Sequence, residues 1–388
     1  MLIALNGQKI LIDNPAGPEK YTINVFSALA KVDTTNDYVV YFSQEPTPEF
    51  WKELSNNNPK WKYKVLPTII SWMQISIVKE FVANTPDVFF TATHSLPVLL
   101  TLCPIKLMKT KFVVMLHGLE FTFAKKNANW FRRMGLGWTE WYCSLFSTKL
   151  IVPTQAIKDE VVKRRWTHKN KIYVVNEGVS NFFYKRSENE ISAATYTYNL
   201  IDTTYLIFVS TIQPRKNLPK TIEAFAKVLA ENQNLKNVKL AIVGKTGWAA
   251  EESLTAPKKY GVENNVMFLG RVPDKDLPAL ISGAKGYINF SLEEGFGLPL
   301  LEAMACEIPC AVSNILSLQE VGGDIPLYAD PKNVMEMATS MHQLLTKNKD
   351  TTKVTAGKQR TQLFSWENTA LRTLAVILAS LDGKQQAL

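Results

Sequence analysis

Two glutamates, Glu294 and Glu302, flank a seven-residue interval holding Gly295, Gly297 and Pro299 in the stretch NFSLEEGFGLPLLEAMACEIPCAVS. Both carboxylates can accept hydrogen bonds from hydroxyl groups. The glycines let the backbone come close to a ligand. Proline is tolerated in a helix's first turn, so Pro299 predicts a helix N-terminus near Leu298. A strand, a glycine turn and a helix N-terminus together offer free N–H groups and a partial positive charge to an anion. The combination suits a molecule carrying both phosphate and sugar. The spacing alone serves a plain strand–turn–helix joint with two surface glutamates equally well.

A second constellation is STIQPRKNL, where Arg215 and Lys216 precede a helix expected from Leu218 and capped by Asn217. A diphosphate there would meet two cations and free amides. In the first half, THSLP around His94 and LHGLEF around His117 follow short apolar runs. Ligands of open α/β sheets gather at the carboxyl ends of strands, which makes both histidines candidates for a substrate site. His168 sits in a basic run and reads as a solvated helix end. VGKTGW is not a phosphate loop, because Lys239 stands where that motif needs its first glycine. Asp274 and Asp276 form an Asp-x-Asp just before a helical segment, and no metal site is expected.

These residues need strand ends and helix starts to hold them, and the pattern supplies both. In the first half, strands are expected at 2–6, 38–42, 88–91, 112–116, 150–153 and 172–175, with an amphipathic helix at 21–31. The second half restarts with strands at 205–210, 238–243, 266–269, 286–290 and 308–313 and helices between them. Such alternation implies βαβ units and parallel sheets with right-handed crossovers. Polar residues 187–204 read as a linker, and 364–381 as a final amphipathic helix.

The motif EGFGLPLLEAMACEIPC resembles the signature of family 4 retaining glycosyltransferases, the glycosyl transferases group 1. PRKN, LHG, NEGVSNFF, SLQEVGGD and FSWENTA resemble further family segments in the same order, and NPAGPEKY resembles its first loop. Glu307, Cys310, Lys20, Glu19 and Ser210 depart from the family pattern. The resemblance implies the α/β architecture called GT-B, two Rossmann-like domains facing a cleft, with a C-terminal helix crossing back to the first domain. The domains would be 1–186 joined by 364–388, for the acceptor, and 205–363, for a nucleotide-sugar donor. The implied activity is retaining, metal-independent transfer of a hexose-type sugar from a UDP- or GDP-sugar to a glycan or lipid-linked acceptor, with no cofactor.

In that reading Glu294 holds donor-sugar hydroxyls and Glu302 the nucleotide ribose. Arg215 and Lys216 neutralise the leaving diphosphate, His117 lies close to the donor sugar, and the backbone at Gly295, Phe296, Gly297 and Leu298 lines the pocket. Gly17, His94 and Glu320 complete the substrate-binding set. No residue stands out as a covalent nucleophile, which favours a same-face displacement with the leaving phosphate aiding deprotonation of the acceptor.

At 388 residues the chain exceeds one ordinary core, and 46% hydrophobic with 20% charged residues indicate a globular protein. No run is apolar enough to span a bilayer, the N-terminus lacks a signal-peptide pattern, and the cysteines form no framework, so a cytoplasmic setting is expected. Net charge is +9, all of it within residues 1–185, which carry 23 basic and 14 acidic residues. Lys106, Lys109, Lys111, Lys125, Lys126, Arg132 and Arg133 stand near Trp130, Phe131, Trp138, Trp141 and Tyr142. Such a patch suits an anionic membrane surface or an anionic acceptor, and serves a solvated face over an aromatic core as well. The protein would then be peripheral to the membrane's inner face. No nucleic-acid motif accompanies the charge. Two other classes stay open: a nucleotide-sugar hydrolase or epimerase, and a catalytically silent sugar-nucleotide-binding subunit of a polysaccharide assembly complex.

Overall fold

The structure is a computed structural model that describes residues 1–12, 15, 17–68, 70–102, 109–119 and 130–381. The chain forms two units. Val179–Phe364 make one, and the described residues up to Gly178 make the other together with those from Ser365 onward.

In the first unit, β1 (Leu2–Asn6), β2 (Asp37–Phe42), β3 (Trp61–Val65), β4 (Val88–Thr91), β5 (Lys111–Met115), β6 (Lys149–Val152) and β7 (Ile172–Val174) form one parallel sheet in the order β3-β2-β1-β4-β5-β6-β7. Successive buried residues of β1 and β4 point to opposite faces, so Ile3, Leu5, Val88 and Phe90 fill one core layer and Ala4 and Phe89 the other. β3 is an edge strand that apolar runs do not reveal, because its Lys62, Tyr63 and Lys64 are exposed. Edge lysines of this kind discourage pairing with another chain.

The helix Gly17–Val32 buries Tyr21, Val25, Phe26 and Leu29 against this sheet. It starts four residues earlier than its apolar period indicates, with Gly17 as its first residue. The final helix, Trp366–Ala379, is capped by Ser365 and belongs to this unit. Trp366 meets Tyr21 edge-on at 5.8 Å, and Thr369 donates to the Asn176 carbonyl at 2.8 Å. Gly178 makes that docking possible, since a Cβ there would lie 2.4 Å from the Trp366 nitrogen.

In the second unit, β8 (Tyr205–Val209), β9 (Lys239–Val243), β10 (Val266–Gly270), β11 (Gly286–Asn289), β12 (Cys310–Ser313) and β13 (Leu327–Ala329) form a parallel sheet in the order β10-β9-β8-β11-β12-β13. Two apolar layers cover it, one including Tyr205, Ile207 and Tyr287, the other Leu206, Phe208 and Ile288. The expected linker at 187–204 is instead largely the helix Glu188–Thr197, in this unit. Its apolar period is weak because only a narrow face is buried. A capping box fixes its start, with Ser187 accepting from the Glu190 N–H while Glu190 accepts from the Ser187 N–H.

Both sheets reverse direction once. In the first the reversal falls between β1 and β4, and in the second between β8 and β11. The crevice outside the carboxyl ends of such a strand pair is where open α/β sheets bind ligands.

Candidate functional site

At the reversal point of the second sheet, the loop after β8 supplies Arg215 and Lys216, and the loop after β11 supplies Glu294. Lys216 Nζ lies 2.6 Å from Glu294 Oε1 and 2.8 Å from Oε2, and Arg215 Nη1 donates to Oε2 at 3.0 Å. Asn289 Nδ2 and Ser291 Oγ also donate to Oε1, at 3.2 and 2.7 Å. Glu294 and Lys216 are both nearly inaccessible to solvent, while the Arg215 side chain keeps 24% exposure. Burial alone would raise the Glu294 carboxyl, but the charges of Lys216 and Arg215 and these donors hold it at about 2. The glutamate, singled out as a sugar ligand, thus grips the two cations expected at a diphosphate.

Asn217 does not cap the Leu218–Glu231 helix with its side chain. It adopts a left-handed conformation (φ 57°), which turns the amide away. Asn217 Nδ2 donates instead to the carbonyls of Phe290 and Pro331, at 3.0 and 2.7 Å. The basic loop is therefore tied to the glutamate's loop by backbone as well as charge, and Leu292 N–H also donates to the Arg215 carbonyl at 2.8 Å.

The helix Leu298–Ala305 begins as Pro299 indicates, with Gly297 as its N-cap at φ 110°. L-residues rarely adopt that angle, and a Cβ there would sit 2.5 Å from Leu318 Cδ2. Leu298 packs on the core and Phe296 turns into it, meeting Phe364 edge-on at 5.7 Å. Glu302 lies one turn inside the helix and is buried; burial pushes the nearby Tyr287 phenol up, and the charges of Glu294 and, to a smaller extent, Glu302 add to it. Gly295 follows Glu294 in the same loop, between β11 and this helix. Glu320 sits on the helix Leu316–Gly322, where Arg360 Nη2 donates to its carbonyl at 2.7 Å. The sequence reading missed Asn289 and Ser291 because nothing but their place at a strand end marks them. Asp276, of the Asp-x-Asp, accepts from the Tyr198 hydroxyl at 3.1 Å as a structural partner.

In the first unit His117 follows β5. Its Nδ1 lies 3.2 Å from Glu177 Oε1 and its Nε2 3.1 Å from the Ala92 carbonyl, with Tyr21 edge-on at 4.8 Å. Both polar neighbours are acceptors, so a neutral ring satisfies one of them at a time. Glu177, from NEGVSNFF, was not singled out and is the residue that orients the ring. His94 follows β4; burial pushes its imidazole down to about 3, helped by His117 and Lys9 nearby. Gly17 is exposed at the start of its helix, and a Cβ there would touch nothing. The neighbouring Glu19 is buried and pairs with Lys9 at 2.6 Å.

Much of the basic stretch, including Lys106, Lys125 and Lys126, lies outside the described residues, as do the side chains of Trp130, Phe131, Arg132 and Arg133. On the described part of the helix Trp130–Phe146, Tyr142 is core, whereas Trp138, Trp141 and Leu145 are exposed. Among the described residues no group of metal-binding side chains occurs, and no helix is long and apolar enough to cross a membrane.

Comparison with known proteins follows the same two units. Residues 15–181 match the family model described as Glycosyltransferase Family 4, and residues 199–360 match Glycosyl transferases group 1. The O-antigen chain mannosyltransferase B of Escherichia coli is 32% identical over 233 residues, 60% of this chain and 61% of that protein. A serotype-specific mannosyltransferase, WbdA, from the same organism is 30% identical over 60% of this chain and 29% of its own length. The chain thus spans less than two thirds of the curated relatives it matches. Among solved structures, Anabaena HepE in complex with UDP and glucose superposes with a TM-score of 0.74 at 18% identity, covering 98% of this chain and all of that one. WaaG, a glycosyltransferase involved in lipopolysaccharide biosynthesis, gives 0.73 at 14% over 97% and 99%.

Proposed function

The chain belongs to the group 1 glycosyl transferases and has the GT-B fold, and on that premise we propose that it is a retaining hexosyltransferase using a nucleotide-sugar donor. The observation that carries this reading is the Arg215–Lys216–Glu294 cluster at the reversal point of the second sheet. Breaking a sugar–diphosphate bond leaves negative charge on the departing group. Arg215, Lys216 and the amides at the start of the Leu298–Ala305 helix supply the opposite charge without a metal, each such contact contributing ~2–4 kcal/mol in comparable sites. Glu294 fixes the two cations and shares its oxygens with donor-sugar hydroxyls. Glu302 takes the ribose and Glu320 a further nucleotide contact. The departing phosphate receives the acceptor's proton as the new bond forms on the same face.

Mannose is the proposed sugar, since both relatives are named as mannosyltransferases and one of them as an O-antigen chain mannosyltransferase, and a growing polysaccharide is the proposed acceptor. The test is a thermal-shift screen of GDP, UDP and ADP with their hexose conjugates, followed by transfer assays. One nucleoside diphosphate should raise the melting temperature in proportion to its affinity, and its mannose conjugate should be turned over. A screen in which none stabilises the protein removes the reading. Product in the absence of acceptor would instead favour a hydrolase.

We further propose that the protein rests on an anionic membrane surface. Trp138, Trp141 and Leu145 share one exposed helix face, and Lys171 donates to the Leu145 carbonyl at its end. Co-sedimentation with phosphatidylglycerol vesicles should fall as salt rises, and its absence at low salt overturns the proposal.

A further inference from the structure

His117 Nδ1 lies 3.2 Å from Glu177 Oε1, and its Nε2 lies 3.1 Å from the Ala92 carbonyl. The ring follows β5, and the two acceptors come from the turns after β7 and β4. The imidazole keeps 14% exposure and the carboxylate 7%, so a ligand reaches the ring more readily than the acid behind it.

Glu177 is held from both sides. Asn176 receives Thr369 Oγ1 on its carbonyl at 2.8 Å and donates its own Nδ2 to the Pro153 carbonyl at 2.9 Å. Gly178 lies so close to the last helix that a Cβ would come within 2.4 Å of the Trp366 nitrogen. Trp366 meets Tyr21 at 5.8 Å, and Tyr21 meets the imidazole edge-on at 4.8 Å, which restrains the ring from turning. His94, a titratable neighbour, is pushed down to about 3 by burial and stays neutral. The charge at hydrogen-bond distance from the ring is that of Glu177.

A neutral imidazole has one N–H to give and here two acceptors to choose between. A carboxylate is the stronger of them, because a hydrogen bond to an ionised group is roughly twice as strong as one between neutral groups. The hydrogen therefore sits on Nδ1. Nε2 then turns a lone pair toward the Ala92 carbonyl, acceptor against acceptor. A hydroxyl that donates to Nε2 relieves this mismatch, whereas an ether or carbonyl oxygen does not.

We propose that Glu177 is a positioning residue that fixes His117 in its Nδ1–H tautomer, so that Nε2 accepts a hydrogen bond from a substrate hydroxyl. The substrate rests on the transferase reading above; the tautomer rests on the ring's surroundings alone. Its test uses the full chain labelled with ¹⁵N-histidine at about pH 8, where an ordinary imidazole is neutral. Ring nitrogen shifts report the tautomer, and single substitutions tell the four histidines apart. Wild type should show a protonated Nδ1 and a bare Nε2 at His117. In Glu177→Ala the proton should move to Nε2, where the Ala92 carbonyl accepts it.

Transfer from GDP-mannose or UDP-mannose, whichever the thermal-shift screen selects, should fall about ten- to a hundredfold in kcat/KM in Glu177→Ala, the loss of one charge-assisted hydrogen bond. His117→Phe should lose a similar amount, and the double variant no more than either single one. The nucleoside-diphosphate thermal shift should persist in all three. A wild-type proton on Nε2, or on both nitrogens, overturns the proposal even if Glu177→Ala fails to fold. Additive losses in the double variant overturn it too, since Glu177 would then act apart from the ring. A wrong tautomer with a retained nucleotide shift leaves the donor reading standing. The expected tautomer without any nucleotide shift removes the transferase reading and, with it, the substrate hydroxyl.

Discussion

Lys216 and Glu294 are 78 residues apart in sequence and form a buried two-oxygen ion pair across the strand reversal of the second sheet. Removing one partner of a buried pair leaves the other charge uncompensated and typically costs ~3–5 kcal/mol. Lys216→Met should therefore lower stability by roughly that much, and Lys216→Met with Glu294→Gln should cost clearly less than the two single changes summed. Urea denaturation of the four proteins measures the coupling. Additive effects would show that the pair does not hold the loops together. In each variant that stays folded, transfer should fall at least ~tenfold, because the cation facing the diphosphate is lost or displaced.

The same pair sets an acid limit. Against the burial that would raise it, Lys216 and Arg215 hold the Glu294 carboxyl at about 2, below its ordinary 4.5. A depressed carboxyl contributes stability that is present above its unfolded value and is lost as pH falls through the folded one. Roughly 3 kcal/mol should thus disappear between pH 4.5 and 2. Asp33, held down to about 2 by Tyr38, Asn36 and Thr35 despite its burial, adds to the loss in the same window. Melting temperatures taken from pH 6 downward should fall steeply below 4.5 in the wild type and less steeply in Glu294→Gln. Parallel curves would contradict the assignment.

Two glycines should differ in what they tolerate. Gly297→Ala meets only the tip of Leu318, although φ stays at 110°, so a loss of about 1–3 kcal/mol is expected. Gly244 also has positive φ, and a Cβ there would lie 1.9 Å from the Ser210 carbonyl, which cannot swing aside. Gly244→Ala should be the more damaging of the two by chemical denaturation. The reverse order would mean that the backbone at 244 moves freely.

Asn217 offers a fourth check. Asn217→Ala loses two buried hydrogen bonds and keeps an unfavourable left-handed φ, for an expected cost of about 2–4 kcal/mol. Asn217→Gly removes the same bonds but relieves the backbone, and should be measurably less destabilised. Equal losses would show that φ does not matter there.

Local chemistry was legible without coordinates. Pro299 fixed a helix start, glycines marked the close turns, and apolar runs located most of the strands to within one or two residues, because these features depend on neighbours in sequence. β3 and the short β13 escaped that reading. An exposed edge strand and a three-residue strand carry little apolar signal.

By itself, then, the sequence determined two parallel α/β units, a turn suited to phosphate and sugar, and which half carries the excess charge. The tertiary structure decided which charges meet. Glu294 was read as a sugar ligand and Lys216 as a diphosphate ligand, yet the fold pairs them with each other. It also put most of the residues at 187–204 into a capped helix, Glu188–Thr197, turned Asn217 from a cap into a tie, and set Glu177 behind His117. Those outcomes depend on strand order, which brings together loops from distant parts of the chain. Pairing across a sheet reversal leaves no periodic trace in either loop.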